Sequence, residues 1–462
     1  MYKTVVRLQQ IELVNFKNVE NGIIMFPSYM KQDNFNKKAE IIGLYGQNGS
    51  GKTALVDAMG ILKHALTGKK LPSNTGDYIL QTSLTSELRF VFNLESQDER
   101  YLVFYEMELS KLEEDKVQIT KENLSYKKFL DGEWKSKAGI IEYNSIYKET
   151  IFKPIKNFRL LTTNNVNNHI ELGVSKKLSE KNMTSFIFSS ETEEIIKNSE
   201  SFKEYTDIIL TLKYYANLNL FIIKNNHAGI INMNLFIPLS FRISDEKSVT
   251  QGDLSIGLLK PSVVLEQAYE VVKKIIEQMN IVLGTIIPGL NIDIINHGKQ
   301  IKEDGAEGVR IELVSVRGEL RIPLKYESDG IKKIISILST LITMFNSPSV
   351  CMVVDELDAG IFEYLLGEIL QIISESGKGQ LIFTSHNLRP LEMLDTNSIV
   401  FTTTNPQNRY LRFANVKSNN NLRNLYYRSI NLGGQKENIY EETNSFEISR
   451  AFRVAGRVID EN

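Results

Sequence analysis

Cysteine is almost absent from this chain, with Cys351 the only one in 462 residues. An internal disulfide is therefore excluded, and with it the stapled frameworks of small secreted domains. The single thiol sits in the apolar run 350–354 and reads as a small core residue. Long apolar stretches are missing too. No run of about 18 such residues occurs, which excludes a helical membrane span. The opening segment Met1-Tyr2-Lys3-Thr4-Val5-Val6-Arg7 lacks the apolar core of a signal peptide. These absences predict a cytoplasmic protein with no membrane partner. Charge of one sign is scarce as well: 54 Lys and Arg stand against 56 Asp and Glu, a net of −2. That balance excludes a polycation built to coat nucleic acid, though not a local basic patch. No sustained heptad run and no internal repeat are present, so a long coiled-coil arm is not expected. Residues 150–305 hold no catalytic constellation; His169 and His227 stand alone.

The composition, 42% hydrophobic and 24% charged, is that of a globular chain, and its length calls for two or three lobes. Residues 8–16 alternate as a strand, and 40–45 form a second, more apolar strand that runs into a glycine-rich loop. Residues 53–66 then take helical spacing through Leu55, Ala58, Met59, Leu62 and Leu66. Between 87 and 145 the period changes to two, with turn signals such as Asp131-Gly132, which predicts an antiparallel meander. Helical spacing covers 195–218, 262–283 and 331–345, and strand-like alternation covers 308–326. Strand 349–354, a helix over about 361–375 and strand 380–384 form a β-α-β unit, which predicts a parallel sheet. The Asn-rich stretch 418–421 reads as a loop, and a short helix is expected near 445–455.

Gly46-Gln47-Asn48-Gly49-Ser50-Gly51-Lys52-Thr53 matches G-x-x-x-x-G-K-[ST] between a strand and a helix. Glycines let the backbone wrap phosphates with its N–H groups pointing inward. Lys52 offers a positive charge to the β- and γ-phosphates, Thr53 a hydroxyl to Mg2+, and the following helix its positive dipole end. Asp355 ends a buried strand, where such folds hold Mg2+, and Glu356 is placed to polarise a water. His386 ends the next strand and is read as a γ-phosphate contact. Ser328-Asp329-Gly330 opens a helix. Its serine is an ordinary N-cap, and the same features also make a phosphate-binding helix end.

These pieces, in this order, resemble the ABC-type ATPases of the SMC, RecF and OLD branch, and more narrowly the AAA-annotated ATPases of bacterial phage-defence (abortive-infection) systems. The resemblance covers roughly 1–110 and 310–405. It implies an α/β P-loop NTPase with an ABC-type head: a mixed central sheet, an antiparallel accessory sheet and a mostly helical insertion lobe. Residues 1–150 would carry Walker A and the meander, 151–307 a sensing or partner-binding insertion, 308–415 the remaining core motifs, and 416–462 a tail for partner contact. Gly46 to Thr53 would be Walker A. Val350 to Asp355 would be Walker B, with Glu356 the catalytic glutamate and Thr53 and Asp355 the Mg2+ ligands. Leu357-Asp358-Ala359-Gly360 resembles the D-loop, with Asp358 near ATP, and His386 the switch histidine. Ser328 and Gly330 would form the signature that meets ATP on a second subunit. Here it reads Glu327-Ser328-Asp329-Gly330-Ile331 in place of Leu-Ser-Gly-Gly-Gln, which puts an aspartate near the phosphates. The Q-loop glutamine is not placed.

The resemblance implies an ATP-linked homodimer or higher homo-oligomer that hydrolyses ATP and regulates a separate effector, a nuclease or toxin, in antiphage defence. The alternative is a DNA-repair or chromosome-associated ATPase. That alternative would draw on Arg409, Arg412, Lys417, Arg423 and Arg428 interspersed with Tyr410, Tyr426 and Tyr427. A transporter subunit is disfavoured because Lys52 and Asp355 lie about 300 residues apart. The Asp355-Glu356-Leu357-Asp358 run superficially resembles a Toprim nuclease motif, but the P-loop claims those residues, and no nuclease domain is expected in this chain.

Overall fold

A computed structural model describes residues 4–31, 37–97, 99–112, 116–148, 150–163, 165, 167–244, 249–301, 305–413, 421–432 and 435–460. Strand Glu40–Tyr45 is buried at every position, as a strand covered on both faces must be. It lies inside a six-stranded sheet ordered Leu220–Ile223, Cys351–Val354, Gln380–Thr384, Glu40–Tyr45, Ile399–Thr402, Tyr410–Leu411. Every neighbouring pair is parallel except the last. The parallel strands therefore end on one edge of the sheet, which is where open α/β sheets bind ligands.

A second sheet is wholly antiparallel. Its order is Val19–Met25, Val5–Phe16, Thr85–Glu95, Arg100–Lys111, Val117–Leu130, Ala138–Asn144, Phe152–Lys153, with Glu133–Trp134 paired to Val117–Leu130. The expected meander forms its centre. Asp131 and Gly132 make the tight hairpin with φ of 55° and 83°, as a two-residue turn of this hand needs. Helix Lys52–Leu66 lies between the sheets: Leu55, Ala58 and Leu62 share one core with Leu8, Leu13 and Phe90 and with Ile42, Val353 and Ile382. The opposite face of the parallel sheet, through Ile41, Val354 and Phe383, joins a second core with helices Asp329–Asn346 and Glu363–Ser376.

The segment 151–307, expected as one mostly helical insertion, is distributed between these cores. Helices Asn167–Asn182, Ser190–Lys197 and Lys203–Leu218 bury Leu172, Ile195 and Ile208 in the first core. Strand Leu220–Ile223 enters the parallel sheet beside Cys351–Val354. Helix Glu266–Ile286, strands Phe236–Ser244 and Val249–Gly257, and strands Ser262–Leu265 and Asn291–Ile301 belong with the second core. A four-residue apolar strand directly after a helix gives periodicity too little length to separate the two. Of the Asn-rich stretch, 418–420 lie outside the described residues. The helix near 445 runs over Ser445–Asp460. Among the described residues no helix is long and apolar enough to cross a membrane.

One buried ion pair ties the sheets together. Arg7, 2% exposed, bonds Glu40 at 2.7 Å. The same guanidinium donates to the carbonyls of Lys378 and Lys38 at 2.7 and 2.8 Å. Gln380 joins it by exchanging hydrogen bonds with the backbone of Leu8, accepting at 2.8 Å and donating at 2.7 Å. Arg7→Met strands Glu40 in a dry environment and should cost about 3–5 kcal/mol in a denaturant titration. Adding Glu40→Met removes the stranded charge, and the double variant should unfold at higher denaturant than Arg7→Met alone.

Candidate active site

The loop 46–51 owes its shape to positions that exclude side chains. At Gly46, φ is 156° and a Cβ would fall 1.8 Å from Thr402 Oγ1. Gly51 has φ 95° and caps helix Lys52–Leu66 in the left-handed region that L side chains avoid. Ser50 is buried and donates to the Gln47 carbonyl at 2.6 Å, so it braces the loop from within. The Lys52 ammonium folds back onto the carbonyls of Gly46 and Gln47 at 2.8 and 2.9 Å. Burial lowers its pKa below the usual lysine value, and Asp355, Glu356 and Asp358 pull the other way. A partly desolvated cation with neutral partners is well suited to receive an anion.

Strand Cys351–Val354 delivers Asp355, 4% exposed, to the same edge. Thr384, closing the neighbouring strand, donates to Asp355 Oδ1 at 2.7 Å and accepts from the Glu356 N–H at 2.7 Å. Glu356 takes φ 49°, a conformation a non-glycine residue holds only when its surroundings demand it. Asp358 braces the neighbouring loop. Its Oδ2 accepts from the N–H groups of His386 and Asn387 at 3.0 and 2.9 Å, so it fixes the histidine loop. A cleft of roughly 370 Å3 brings together Asn48, Gly49, Gly51, Lys52, Thr53, Asp355, Glu356, Thr384 and His386. Gly46, Gln47 and Ser50 shape the loop behind it.

Ser328 and Gly330 are not among the residues lining this cleft. Ser328 caps helix Asp329–Asn346 by accepting from the Ile331 N–H at 3.3 Å. Gly330 lies against residues 357–360 so closely that a Cβ would fall 1.8 Å from the Gly360 carbonyl oxygen. Asp329, the residue expected to repel phosphate, pairs with Lys332 at 2.9 Å.

Four lining residues escaped the sequence reading: Ala54 in the P-loop helix, Thr384 beside the acids, and a pair from a remote turn. Lys17 and Asn18 come from the hairpin joining Val5–Phe16 to Val19–Met25. Asn18 donates to the Gly49 carbonyl, and Lys17 pairs with Asp57 of the P-loop helix, which also holds Lys224 at 2.6 Å. Their one sequence signal is a polar pair forming a two-residue turn after a strand. Conversely, most of the basic and aromatic residues suggested for nucleic acid are structural. Arg409, 6% exposed, donates to the carbonyls of Thr403 and Asn18 at 2.6 and 2.5 Å. Tyr410 bonds the Gly51 carbonyl at 2.9 Å. Arg412 bonds those of Asn397 and Met25 at 3.0 and 2.6 Å, and its burial pushes the pKa down to about 10. Tyr426 stacks on Phe401 at 5.1 Å. Arg423 pairs with Glu392 at 3.1 Å, Tyr427 and Arg428 are exposed, and Lys417 lies outside the described residues. His169 packs edge-on against Phe158 at 5.6 Å; the His227 side chain is outside the described set.

The cleft's donors suit Mg2+: one buried carboxylate, Asp355, and one exposed hydroxyl, Thr53, are oxygen ligands of the kind that leave several positions to substrate phosphates and water. A parallel sheet with a lysine-bearing glycine loop at its carboxyl edge, opposite two acids, defines a P-loop nucleotide-binding protein. The family model described as AAA ATPase domain matches residues 7–389, and the chain belongs to that family of ATP-binding ATPases. Among solved structures it is similar to the Smc head bound to the C-winged helix domain of ScpA, at 15% identity over 88% of this chain and 98% of that one, TM-score 0.40. It is also similar to the SMC head domain from Thermotoga maritima, at 15% identity over 88% and 99%, TM-score 0.38. A third is the Smc head with an extended coiled coil bound to the C-terminal domain of ScpA derived from Pyrococcus furiosus, at 10% identity over 88% and 96%, TM-score 0.39. No curated protein matches.

Thr384→Val keeps the side-chain shape but removes the bond that orients Asp355 and the turn to Glu356. ATP turnover should fall about 10- to 100-fold, as losses of such supporting bonds do. Circular dichroism melting should show a much smaller change.

Proposed function

We propose that this chain hydrolyses MgATP at a site completed by a second copy of itself, and that the resulting ATP-linked dimer regulates a separate effector, a nuclease or toxin, in antiphage defence. The observation that carries the dimer is the separation of Ser328 and Gly330 from the cleft around Lys52. The helix start at Ser328 and Asp329 stands exposed, with Gly330 buried against Gly360, while the glycine loop holds half of a site.

In this reading the loop N–H groups and Lys52 bind the β- and γ-phosphates, displacing Lys52 from the Gly46 and Gln47 carbonyls. Thr53 and Asp355 would hold Mg2+, which would neutralise phosphate charge. Glu356 accepts a proton from the attacking water, and His386, steadied by Asp358, faces the γ-phosphate. Ser328 and the N–H groups near Gly330 of the second copy close the site, and Asp329 stays paired with Lys332 so that its charge does not oppose them. Hydrolysis removes the γ-phosphate and loosens the dimer. Positioning and charge neutralisation supply the catalysis, as phosphoryl transfer requires. The defence role is supported by the likeness of the motif set to ATPases of such systems.

Lys52→Ala should abolish ATP binding measured with a fluorescent nucleotide. Glu356→Gln should bind ATP normally and lose turnover by at least about 100-fold; rapid hydrolysis by that variant would remove Glu356 from the role of base. Cells carrying the intact chain with its neighbouring genes should resist phage in a plaque assay, and Lys52→Ala should lose that resistance. Equal plaque counts with and without the intact genes would overturn the defence role.

A further inference from the structure

Two surface features have no part in the ATP cleft of one chain. The first is helix Ser445–Asp460. Ile448, Phe452 and Ala455 lie along one side of it, with Arg450 and Arg453 on the other, and all are exposed, Phe452 to 77%. An amphipathic helix of 16 residues gains little stability in water unless its apolar side is covered. Its base is nevertheless anchored. Glu437 accepts from Asn405 and Asn408 at 3.0 Å each, and the Thr404 N–H donates to the Asn438 carbonyl at 2.8 Å. Ile439 is buried, and the Glu441 N–H donates to Gln47 Oε1 at 2.9 Å. Gln47 belongs to the glycine loop, and only 442–444 separate Glu441 from the helix, so the helix begins no more than about 14 Å from Glu441, the residue bonded to that loop.

The second feature is an aromatic patch beside the signature. Tyr326 is 71% exposed, Phe362 68% and Tyr364 51%. The contact of Gly330 with Gly360 brings the segments of Tyr326 and Phe362 together, and exposed Asp329 and Glu363 lie among them.

We propose that helix Ser445–Asp460 is an arm that docks on the Tyr326–Phe362 patch of a second copy. The proposal rests on the ATP-linked dimer above, in which the glycine loop of one copy meets Ser328 and Gly330 of the other. That same juxtaposition delivers the base of the arm to the edge of the partner's patch. Ile448 and Phe452 then cover the aromatic rings, an apolar contact that leaves Arg450 and Arg453 facing water. Tethered beside the closing site, the arm adds a second contact at high effective concentration and strengthens the dimer without touching ATP.

Sedimentation of the Glu356→Gln protein with MgATP tests this. The dimer should form, and adding Phe452→Glu or Phe362→Glu should weaken it about tenfold or more. Nucleotide affinity of the dilute single chain should stay unchanged. A dimer equally tight with both substitutions overturns the arm and leaves the ATP dimer standing; a Glu356→Gln protein that stays monomeric overturns both. Cross-linking gives a second readout, because Cys351 is fully buried and its thiol is pushed up to about 12, leaving it silent. Chains carrying Phe452→Cys mixed with chains carrying Phe362→Cys should give a bismaleimide-linked heterodimer with MgATP. Linkage only within a single chain carrying both substitutions overturns the arm.

Discussion

The buried pair of Arg7 and Glu40 is the joint on which the site's geometry depends. Arg7 belongs to the antiparallel sheet and Glu40 opens the strand that leads into the glycine loop. Because the guanidinium also bonds Lys38 and Lys378, one side chain holds three backbone segments in fixed relation. The contribution of such a pair to net stability is small, since desolvation offsets the attraction, but its directional bonds fix the relative positions of the segments they join. That docking lays the Lys17-Asn18 turn over Gly49 and encloses the P-loop helix between two apolar faces. The cleft is therefore a property of two sheets, not of the glycine loop alone.

At the carboxyl edge of the parallel sheet, four consecutive residues divide their work. Asp355 and the Glu356 N–H share the Thr384 hydroxyl, Leu357 returns to the core, and Asp358 reaches across to the N–H groups of His386 and Asn387. Two loops from neighbouring strands are thereby bonded to each other at two points. Beyond them, Gly360 rests against Gly330, so the start of helix Asp329–Asn346 touches the turn that follows these acids.

Much of this was legible from residues in order. The strand and helix flanking the glycine loop formed where their periodicity placed them, as did the meander, and the loop, the acids at 355 and 356 and the histidine at 386 line one cleft. Strand Leu220–Ile223 was missed because four apolar residues carry no period. Lys17, Asn18 and Thr384 were missed because nothing near them in the chain announces phosphate chemistry; their importance comes from where remote segments meet. The same limit explains the arginines after 408. Arg409 and Arg412 look like a basic surface in a string of polar residues, yet each is bonded to carbonyls nearly 400 positions away, Asn18 and Met25.

What the sequence by itself determined was the phosphate-binding chemistry, because a loop of eight adjacent residues carries its own backbone geometry, charge and hydroxyl. What only the tertiary structure decided was which groups surround that loop and which do not. Asp358 became a brace for His386, Asp329 was neutralised by Lys332, and Ser328 and Gly330 were set apart from the cleft, since hydrogen bonds and ion pairs between distant segments depend on how sheets and helices dock. Sequence order records the groups; their distances arise only on folding.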